Sequence, residues 1–228
     1  CQNYEISHLG WGQAYQADEV LKMMLDLQSQ GALNINLVSP THYTPQLIPV
    51  LRQAKVSGLR IPVVWNSNAY EKVELIQALE GLVDIWLPDF KYAYGIYAAK
   101  YSGVRNYPEI AMNAIAEMYR QGGDLATDRH GIAKRGVIIR HLVLPNQLSG
   151  SEAALRKIAS RIGTSVTLSI MAQYYPKGKA AEYPELMRPI KAEDYARVLE
   201  TASELGFEHV FEQELIPTPD WTPEFREL

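Results

Sequence analysis

The feature that most restricts the fold of this chain is the alternation of short apolar runs with longer segments of helical periodicity. Six runs rich in Val, Ile and Leu occur at 33–38, 61–65, 83–87, 137–144, 166–171 and 209–212. Helix-period segments occur at 17–30, 44–55, 70–79, 108–120, 151–161 and 192–205. Nearly continuous apolar runs are typical of strands buried on both faces. A strict alternation of such strands with helices predicts a parallel sheet covered by helices.

The chain organisation favours one α/β domain over residues 1–228, because no internal repeat or low-complexity linker divides the sequence. Residues 213–228 are dense in proline, and we expect them to form an extended C-terminal strap that packs through Trp221 and Phe225. Six strands fit either a partial barrel or an open doubly wound sheet. In both folds, functional residues gather at the carboxyl ends of the strands.

Composition excludes several classes of function. The formal net charge is −4 with no long Lys/Arg run, so neither nucleic acid nor an anionic membrane surface is an expected partner. No apolar run is long enough to cross a bilayer, and no secretory signal pattern is present. A single cysteine excludes an internal disulfide, which fits a reducing, cytoplasmic location. The chain has no GxxxxGK[ST], GxGxxG, HExxH or GxSxG motif.

Polar and aromatic side chains follow most of the predicted strands, where parallel strands place their carboxyl ends at one edge. Asp89 and Lys91 are the sharpest pair, because side chains two residues apart in an extended chain point to the same side. A carboxylate beside an ammonium suits a zwitterionic ligand, although a salt bridge closing the edge remains an alternative. Arg140 lies in an apolar run and predicts an anionic partner, unless it occupies an edge or reaches solvent.

An ordered set of short segments carries a family resemblance. The set comprises Cys1-Gln2-Asn3-Tyr4-Glu5-Ile6-Ser7 and residues 34–42, 65–68, 87–92, 140–145 and 169–175. In this order the segments resemble the radical S-adenosylmethionine (SAM) superfamily, in a subgroup related to pyruvate formate-lyase activating enzyme. The resemblance begins at the third cysteine of a CxxxCxxC motif. It implies a partial (β/α)6 TIM-like barrel that lacks its first strand in this fragment.

The resemblance also implies an activity. In that family three thiolates hold a [4Fe–4S] cluster, and SAM chelates the open iron through its amino and carboxylate groups. The reduced cluster cleaves SAM to a 5′-deoxyadenosyl radical, which abstracts a hydrogen atom from the substrate. The implied function is therefore that of a radical SAM oxidoreductase that activates a glycyl-radical enzyme. Its partners would be SAM, that protein substrate, and a reductant such as flavodoxin or ferredoxin.

Site residues follow from the resemblance position by position. Cys1 matches a cluster ligand. Thr41 and His42 stand where many members have a Gly-Gly-Glu stretch that meets the SAM amino group. The family's Asp-Thr-Asn turn corresponds here to Asn66, Ser67 and Asn68, and its Asp-x-Lys element corresponds to Asp89 and Lys91. The family's arginine near SAM corresponds to Arg140, and the position near the adenosyl end corresponds to Gln173 or Tyr174. Asn66 replaces an aspartate, which leaves open whether a monovalent cation binds near Asn66 and Asp89.

Two other functions remain open from the residues alone. A cofactor-free Schiff-base lyase would use Lys91 as its nucleophile and Asp89 as a proton shuttle. A non-catalytic module would keep the SAM pocket without a cluster. Because one cysteine does not hold a [4Fe–4S] cluster, the chain by itself is expected to be inactive in radical chemistry.

Overall fold

The structure, a computed structural model, describes residues 10–215. Cys1, the predicted cluster ligand, and residues 216–228 of the predicted strap, including Trp221 and Phe225, lie outside the described residues. The predictions for them therefore stay predictions. At the start of the predicted strap, Gln213 is described, and its backbone N–H donates to the hydroxyl of Tyr195 at 2.9 Å.

The described part of the chain contains seven helices and seven strands. The helices are α1 (Ala17–Ser29), α2 (Thr44–Val56), α3 (Val73–Ala78), α4 (Gly95–Ser102), α5 (Tyr107–Gly122), α6 (Ser151–Arg161) and α7 (Ala192–Glu204). The strands are β1 (Ile35–Val38), β2 (Val63–Ser67), β3 (Ile85–Pro88), β4 (Ala126–Thr127), β5 (Ala133–Leu142), β6 (Thr167–Met171) and β7 (Val210–Phe211). Single 3₁₀ turns occur at Pro40–Tyr43, Pro145–Gln147, Gly178–Glu182 and Pro184–Leu186.

The strand order confirms the α/β class and resolves the choice between the two parallel folds. The sheet order is β1-β2-β3-β5-β6-β7, all parallel, with β4 antiparallel to β5. A doubly wound sheet would reverse its order at a switch point, and this sheet does not. The strands therefore form a partial barrel of TIM type, and β1 and β7 are its open edges among residues 10–215.

Local differences from the predicted elements have local causes. The predicted helix over 70–79 shortens to α3, because Ala69 takes a left-handed φ of 59° and the Glu71 N–H donates to the Ala69 carbonyl at 2.9 Å. That turn places residues 70–72 outside helical geometry. Sequence periodicity also missed α4 and β4, which are short and lie between predicted elements.

Helices cover only one face of the sheet, because consecutive parallel strands joined by right-handed crossovers place every helix on the same side. This outer face carries Trp65, Trp86 and Ile139, all fully buried. The rings of Trp65 and Trp86 meet edge to face with centroids 6.5 Å apart. In the described residues no helix is both long and apolar enough to cross a bilayer.

The opposite, inner face carries the polar residues. The register pairs Val38 with Asn66, Asn66 with Leu87, and Arg140 with Ser169, while Asp89 bridges Arg140 in the same parallel pattern. Side chains alternate between faces along a strand. Asn66, Asp89 and Arg140 therefore share the inner face, near the carboxyl edge of the sheet.

Gly136 lies at the opposite, amino edge and offers a test of the fold. Its φ is 119°, and an added Cβ would lie 2.5 Å from the Asp124 carbonyl oxygen. We expect Gly136→Ala to lower the free energy of unfolding by at least ~2 kcal/mol, because the clash adds to the cost of positive φ. Gly81→Ala is the matched control: its φ is 74° with open space around the site. Urea unfolding should show a loss of about 1 kcal/mol for the control. Equal losses in the two variants would contradict the packing around Gly136.

Candidate functional site at the carboxyl edge of the sheet

Strained backbone marks the carboxyl edge of the sheet. Among the described residues, non-glycine residues with positive φ are Ser39, Ala69, Asn146 and Gln147. Each lies in a loop just after a strand, namely β1, β2 or β5. Left-handed conformations cost a non-glycine residue of order 1 kcal/mol and cluster at functional sites. At the amino edge, by contrast, the turns before β1, β2 and β3 contain positive-φ glycines. The strain therefore points to the carboxyl edge as the functional one.

A carboxylate with two cations forms the centre of this edge. Asp89 is 7% exposed, and its Oδ2 accepts a hydrogen bond from Lys91 Nζ at 2.6 Å. Its Oδ1 lies 2.7 Å from Arg140 Nη2. The same Nη2 donates to Asn66 Oδ1 at 2.6 Å. Residues from β2, from β5 and from the segment after β3 thus meet at one point on the inner face.

Asn66, Asp89, Lys91 and Arg140 together are called the Asp89 cluster. This cluster keeps unused hydrogen-bonding capacity. Arg140 Nε is buried and has no hydrogen-bond partner among the described residues, and Asp89 Oδ1 makes an ion pair without hydrogen-bond geometry. The side chain of Lys91 is 39% exposed and that of Arg140 is 23% exposed. Because both cations keep some exposed surface, they suit an anionic group of a ligand.

Tyr107, the first residue of α5, fixes the strand ends around the cluster. Its ring is buried, and its hydroxyl lies 2.8 Å from the Asp89 carbonyl and 3.1 Å from the Asn68 carbonyl. The same hydroxyl accepts a hydrogen bond from the Lys91 N–H at 2.9 Å. Burial raises the pKa of Tyr107 well above its usual value, so the hydroxyl keeps its proton. One phenol thereby joins the ends of β2 and β3.

His141 performs a similar task on the outer face of β5. Nδ1 lies 2.6 Å from the Phe90 carbonyl, and Nε2 lies 2.9 Å from Ser151 Oγ at the start of α6. Burial lowers the pKa of His141 to about 4, so the ring is neutral at pH 7. A neutral ring donates at Nδ1 and accepts at Nε2, which matches both contacts. His141 therefore holds the residue that follows Asp89.

Two of the predicted SAM-binding residues, Thr41 and Ser67, point to a different partner. Their hydroxyl groups donate to the carboxylate of Glu71 at 3.0 and 2.5 Å, and the indole of Trp65 donates to it at 3.0 Å. Glu71 is 4% exposed. The strand β2 extends through Ser67, so its side chain lies on the face opposite Asn66. The structure thus brings Thr41 and Ser67 together, but not to the Asp89 cluster.

The remaining predicted residues surround the edge without joining the cluster. His42 is exposed in the Pro40–Tyr43 turn. Asn68 is exposed, and its Oδ1 accepts the Tyr70 N–H at 2.9 Å. Gln173 and Tyr174 follow β6, where the Tyr174 hydroxyl donates to the Leu186 carbonyl at 2.9 Å. Burial raises the pKa of Tyr174 to about 12. The roles of these four residues stay predictions.

A metal site is not evident in the described residues, since within 10–215 no group of three or more His, Cys, Asp or Glu side chains converges on a common point. The predicted ligand Cys1 lies outside that range. The Asp89 cluster contains one carboxylate and two cations, which is a poor donor set for a divalent ion. The residues of this edge are better suited to an organic ligand with its own charges.

Sequence comparison finds a relative that matches most of the chain. The chain is 30% identical over 220 residues to an uncharacterized protein of Methanocaldococcus jannaschii, and the match covers 93% of this chain and 60% of that protein. The chain thus spans about 60% of the length of this relative. No protein-family model matches the chain.

Two solved structures share the architecture. HydG, a maturase of the [FeFe]-hydrogenase, superposes with a TM-score of 0.56 and 12% identity over 88% of this chain and 44% of HydG. A domain of pyruvate-formate lyase-activating enzyme from Bacteroides vulgatus gives a TM-score of 0.54 and 13% identity over 79% of this chain and 98% of that domain. At these identities the likeness is one of fold, and it agrees with the partial α/β barrel of this chain.

Sequence reasoning missed the residues that support the cluster. Tyr107 was not singled out, and neither was Glu71, which holds Thr41 and Ser67 away from the cluster. The partner of Arg140 was expected to be an anion, and it is Asp89. The Asp89–Lys91 contact follows from local spacing, whereas the Asn66–Arg140 hydrogen bond joins residues 74 positions apart and requires the sheet register.

The neutral buried ring of His141 predicts a pH-dependent stability. Because its folded pKa of about 4 lies below the unfolded value of 6.5, the folded state binds fewer protons between these pH values. Stability should therefore be full near pH 7 and fall as the pH drops, with a loss of about 2 kcal/mol by pH 5. His141→Gln keeps an amide in place of the ring and removes the titration. Urea unfolding at both pH values should show a clearly smaller loss in the variant. The same pH difference in both proteins would assign the effect to other groups.

Proposed function

We propose that the carboxyl edge of the sheet binds SAM, in a protein that uses it as a radical SAM oxidoreductase. The observation that carries the proposal is the Asp89 cluster, in which one buried carboxylate holds Lys91 and Arg140 beside each other on the inner face. The fold, the strained loops at this edge and the ordered sequence segments support the same reading. The proposal includes a reducing, cytoplasmic location and a glycyl-radical enzyme as the protein substrate, as the resemblance implies.

SAM fits the chemistry of the cluster. Its methionine part carries a carboxylate, which suits the partly exposed side chains of Lys91 and Arg140. Asp89 fixes both cations, so they are in place before a ligand arrives, which reduces the entropy lost on binding. Asn66 orients Arg140 from the next strand but one. Lys91 and Arg140 are the proposed ligand contacts, and Asp89 and Asn66 position them.

The [4Fe–4S] cluster is not supplied by the residues of this sequence. Such a cluster requires several thiolates, and the 228 residues contain one cysteine. We assign Cys1 to the cluster on the resemblance alone, as part of the proposal for the protein that contains this chain. The described residues contribute SAM binding and an inner face walled by apolar side chains such as Val64 and Ile85.

The Schiff-base alternative is less well supported by the geometry. A Schiff-base lysine attacks as a neutral amine, usually in a desolvated apolar setting or beside another cation. Lys91 instead donates to a buried carboxylate at 2.6 Å, with its side chain 39% exposed. This contact suits a lysine that binds an anion rather than one that attacks a carbonyl carbon.

Substitution of Lys91 tests the proposed contact with the SAM carboxylate. We expect Lys91→Met to weaken SAM binding at least about ten-fold in titration calorimetry, because a charge-assisted bond is lost. Lys55→Met is the matched control, since Lys55 pairs with Asp84 at 3.3 Å at the opposite edge of the sheet. Decarboxylated SAM should bind both Lys91→Met and the unsubstituted chain with the same, weaker affinity.

Two results would contradict this contact. Absence of SAM binding by the unsubstituted chain would remove the site, and an equal loss in Lys55→Met would show a general effect of charge. A covalent adduct trapped at Lys91 by borohydride with a carbonyl compound would favour the lyase instead.

Anaerobic reconstitution tests the cluster in the protein that contains this chain. We expect iron and sulfide to give the broad visible absorption of a [4Fe–4S] cluster, and reduction in the presence of SAM to yield 5′-deoxyadenosine. Cys1→Ala should abolish both, while Lys91→Met should keep the absorption and reduce cleavage. SAM binding without a cluster in the intact protein would identify a binding module without radical chemistry.

A further inference from the structure

An open groove lies on the outer side of the sheet, away from the Asp89 cluster. It has a volume of about 680 Å³ and lies between α5 and α6. Its wall includes Tyr94, Arg105, Met112, Arg156, Lys157 and Arg161. Cavities of several hundred Å³ are the usual size for small-molecule sites. The proposed SAM site does not use this groove, because the groove lies among the helices of the outer side and the SAM site lies on the inner face.

The charge of the groove is opposite to that of the whole chain. Four of its lining side chains are cationic and one, Glu109, is anionic, whereas the chain has a net charge of −4. Three of the cations come from α6 and the fourth, Arg105, from the loop before α5. Lys157 and Arg161 are four residues apart on one helix, a spacing at which like charges repel. An anion between them would remove that repulsion.

The four cations of the groove differ in their partners. Lys157 Nζ donates to the Ala93 carbonyl at 2.6 Å and lies 5.8 Å from the centre of the Tyr94 ring. Arg156 has Glu152 at 3.3 Å on its own helix. Arg105 and Arg161 form no ion pair within residues 10–215, and both are exposed. The groove thus presents two unpaired guanidinium groups.

The backbone beneath Arg105 is fixed by a close approach. Gly95, the first residue of α4, lies so near the Arg105 carbonyl that a Cβ at position 95 would collide with it. The loop before α5 is therefore packed directly against the start of α4. This packing fixes where the Arg105 side chain leaves the backbone, at the rim of the groove.

We infer that this groove binds a phosphate-bearing small molecule of nucleotide size, of the nucleoside diphosphate class. Guanidinium groups match phosphate oxygens with paired hydrogen bonds, and α5 begins at the groove, where its dipole favours negative charge. Tyr94 is 47% exposed and offers a flat ring for a heterocycle. The inference goes beyond the proposed function, because its ligand is a polyanion on the other face of the sheet.

Binding of ADP by the full chain tests this inference. We expect ADP to bind in titration calorimetry at about 0.05 M salt and to bind more weakly at about 0.3 M, because charge attraction is screened. Arg105→Ala/Arg161→Ala should weaken ADP binding at least about ten-fold, whereas Lys22→Ala/Arg52→Ala should leave it unchanged. The control pair removes the same charge from exposed positions on α1 and α2.

Other outcomes would overturn the inference. They are the absence of ADP binding at low salt, an equal loss in the control pair, or binding of polyglutamate in preference to ADP, which would indicate an acidic polypeptide partner. Loss of ADP binding in Lys91→Met would move the ligand to the inner face. SAM binding is a separate readout: we expect it to be unchanged in Arg105→Ala/Arg161→Ala, so failure of either site leaves the other distinguishable.

Discussion

The buried carboxylate of Asp89 is the interaction on which the carboxyl edge of the sheet depends. Its backbone N–H donates to the Ser67 carbonyl at 2.9 Å, and its side chain meets Lys91 and Arg140. Three strands therefore converge on one residue. A carboxylate with 7% exposure is costly to bury unless it is paired, and removal of one partner of a buried pair costs roughly 3–5 kcal/mol. The two cations are consequently fixed by the stability of the fold itself.

Hydrogen bonds from uncharged side chains on the outer, helical side of the sheet hold the Asp89 cluster in place. On the outer face, His141 joins the Phe90 carbonyl to Ser151 of α6. Tyr107 joins the ends of β2 and β3 from the first turn of α5. Neither side chain carries a formal charge at pH 7, because burial raises one pKa and lowers the other. The charged groups on the inner face are thus supported by neutral hydrogen bonds, which add no competing charge.

Local sequence patterns predicted what local geometry determines. The six apolar runs all became parallel strands, and the spacing of Asp89 and Lys91 gave their contact, because a strand fixes side chains two residues apart on one side. Ser67 shows the limit of such reasoning. It was grouped with Asn66 and Asn68 as a turn, yet β2 continues through Ser67, and the period of two sends its hydroxyl to Glu71.

Contacts between distant segments were beyond the reach of the sequence. The choice of Asp89 as the partner of Arg140 depends on the register of β3 against β5, which no local pattern encodes. The groove between α5 and α6 likewise arises from residues some fifty positions apart. From the sequence alone, a pair such as Arg156 and Lys157 indicates a solvated helix face. Only the structure shows the opposite wall of the groove.

The fold and the two cationic sites together restrict what kinds of ligand this chain accepts. On the inner face, two cations share one carboxylate, which leaves a surplus of one positive charge for the carboxylate of a ligand. In the outer groove four cations face one carboxylate, which favours a polyanion and disfavours a sulfonium compound such as SAM. Since the sheet separates the two sites, the same chain can discriminate between these ligands by charge alone. This discrimination between ligands does not follow from the fold shared with HydG and the activating-enzyme domain. It depends on the side chains at the two sites.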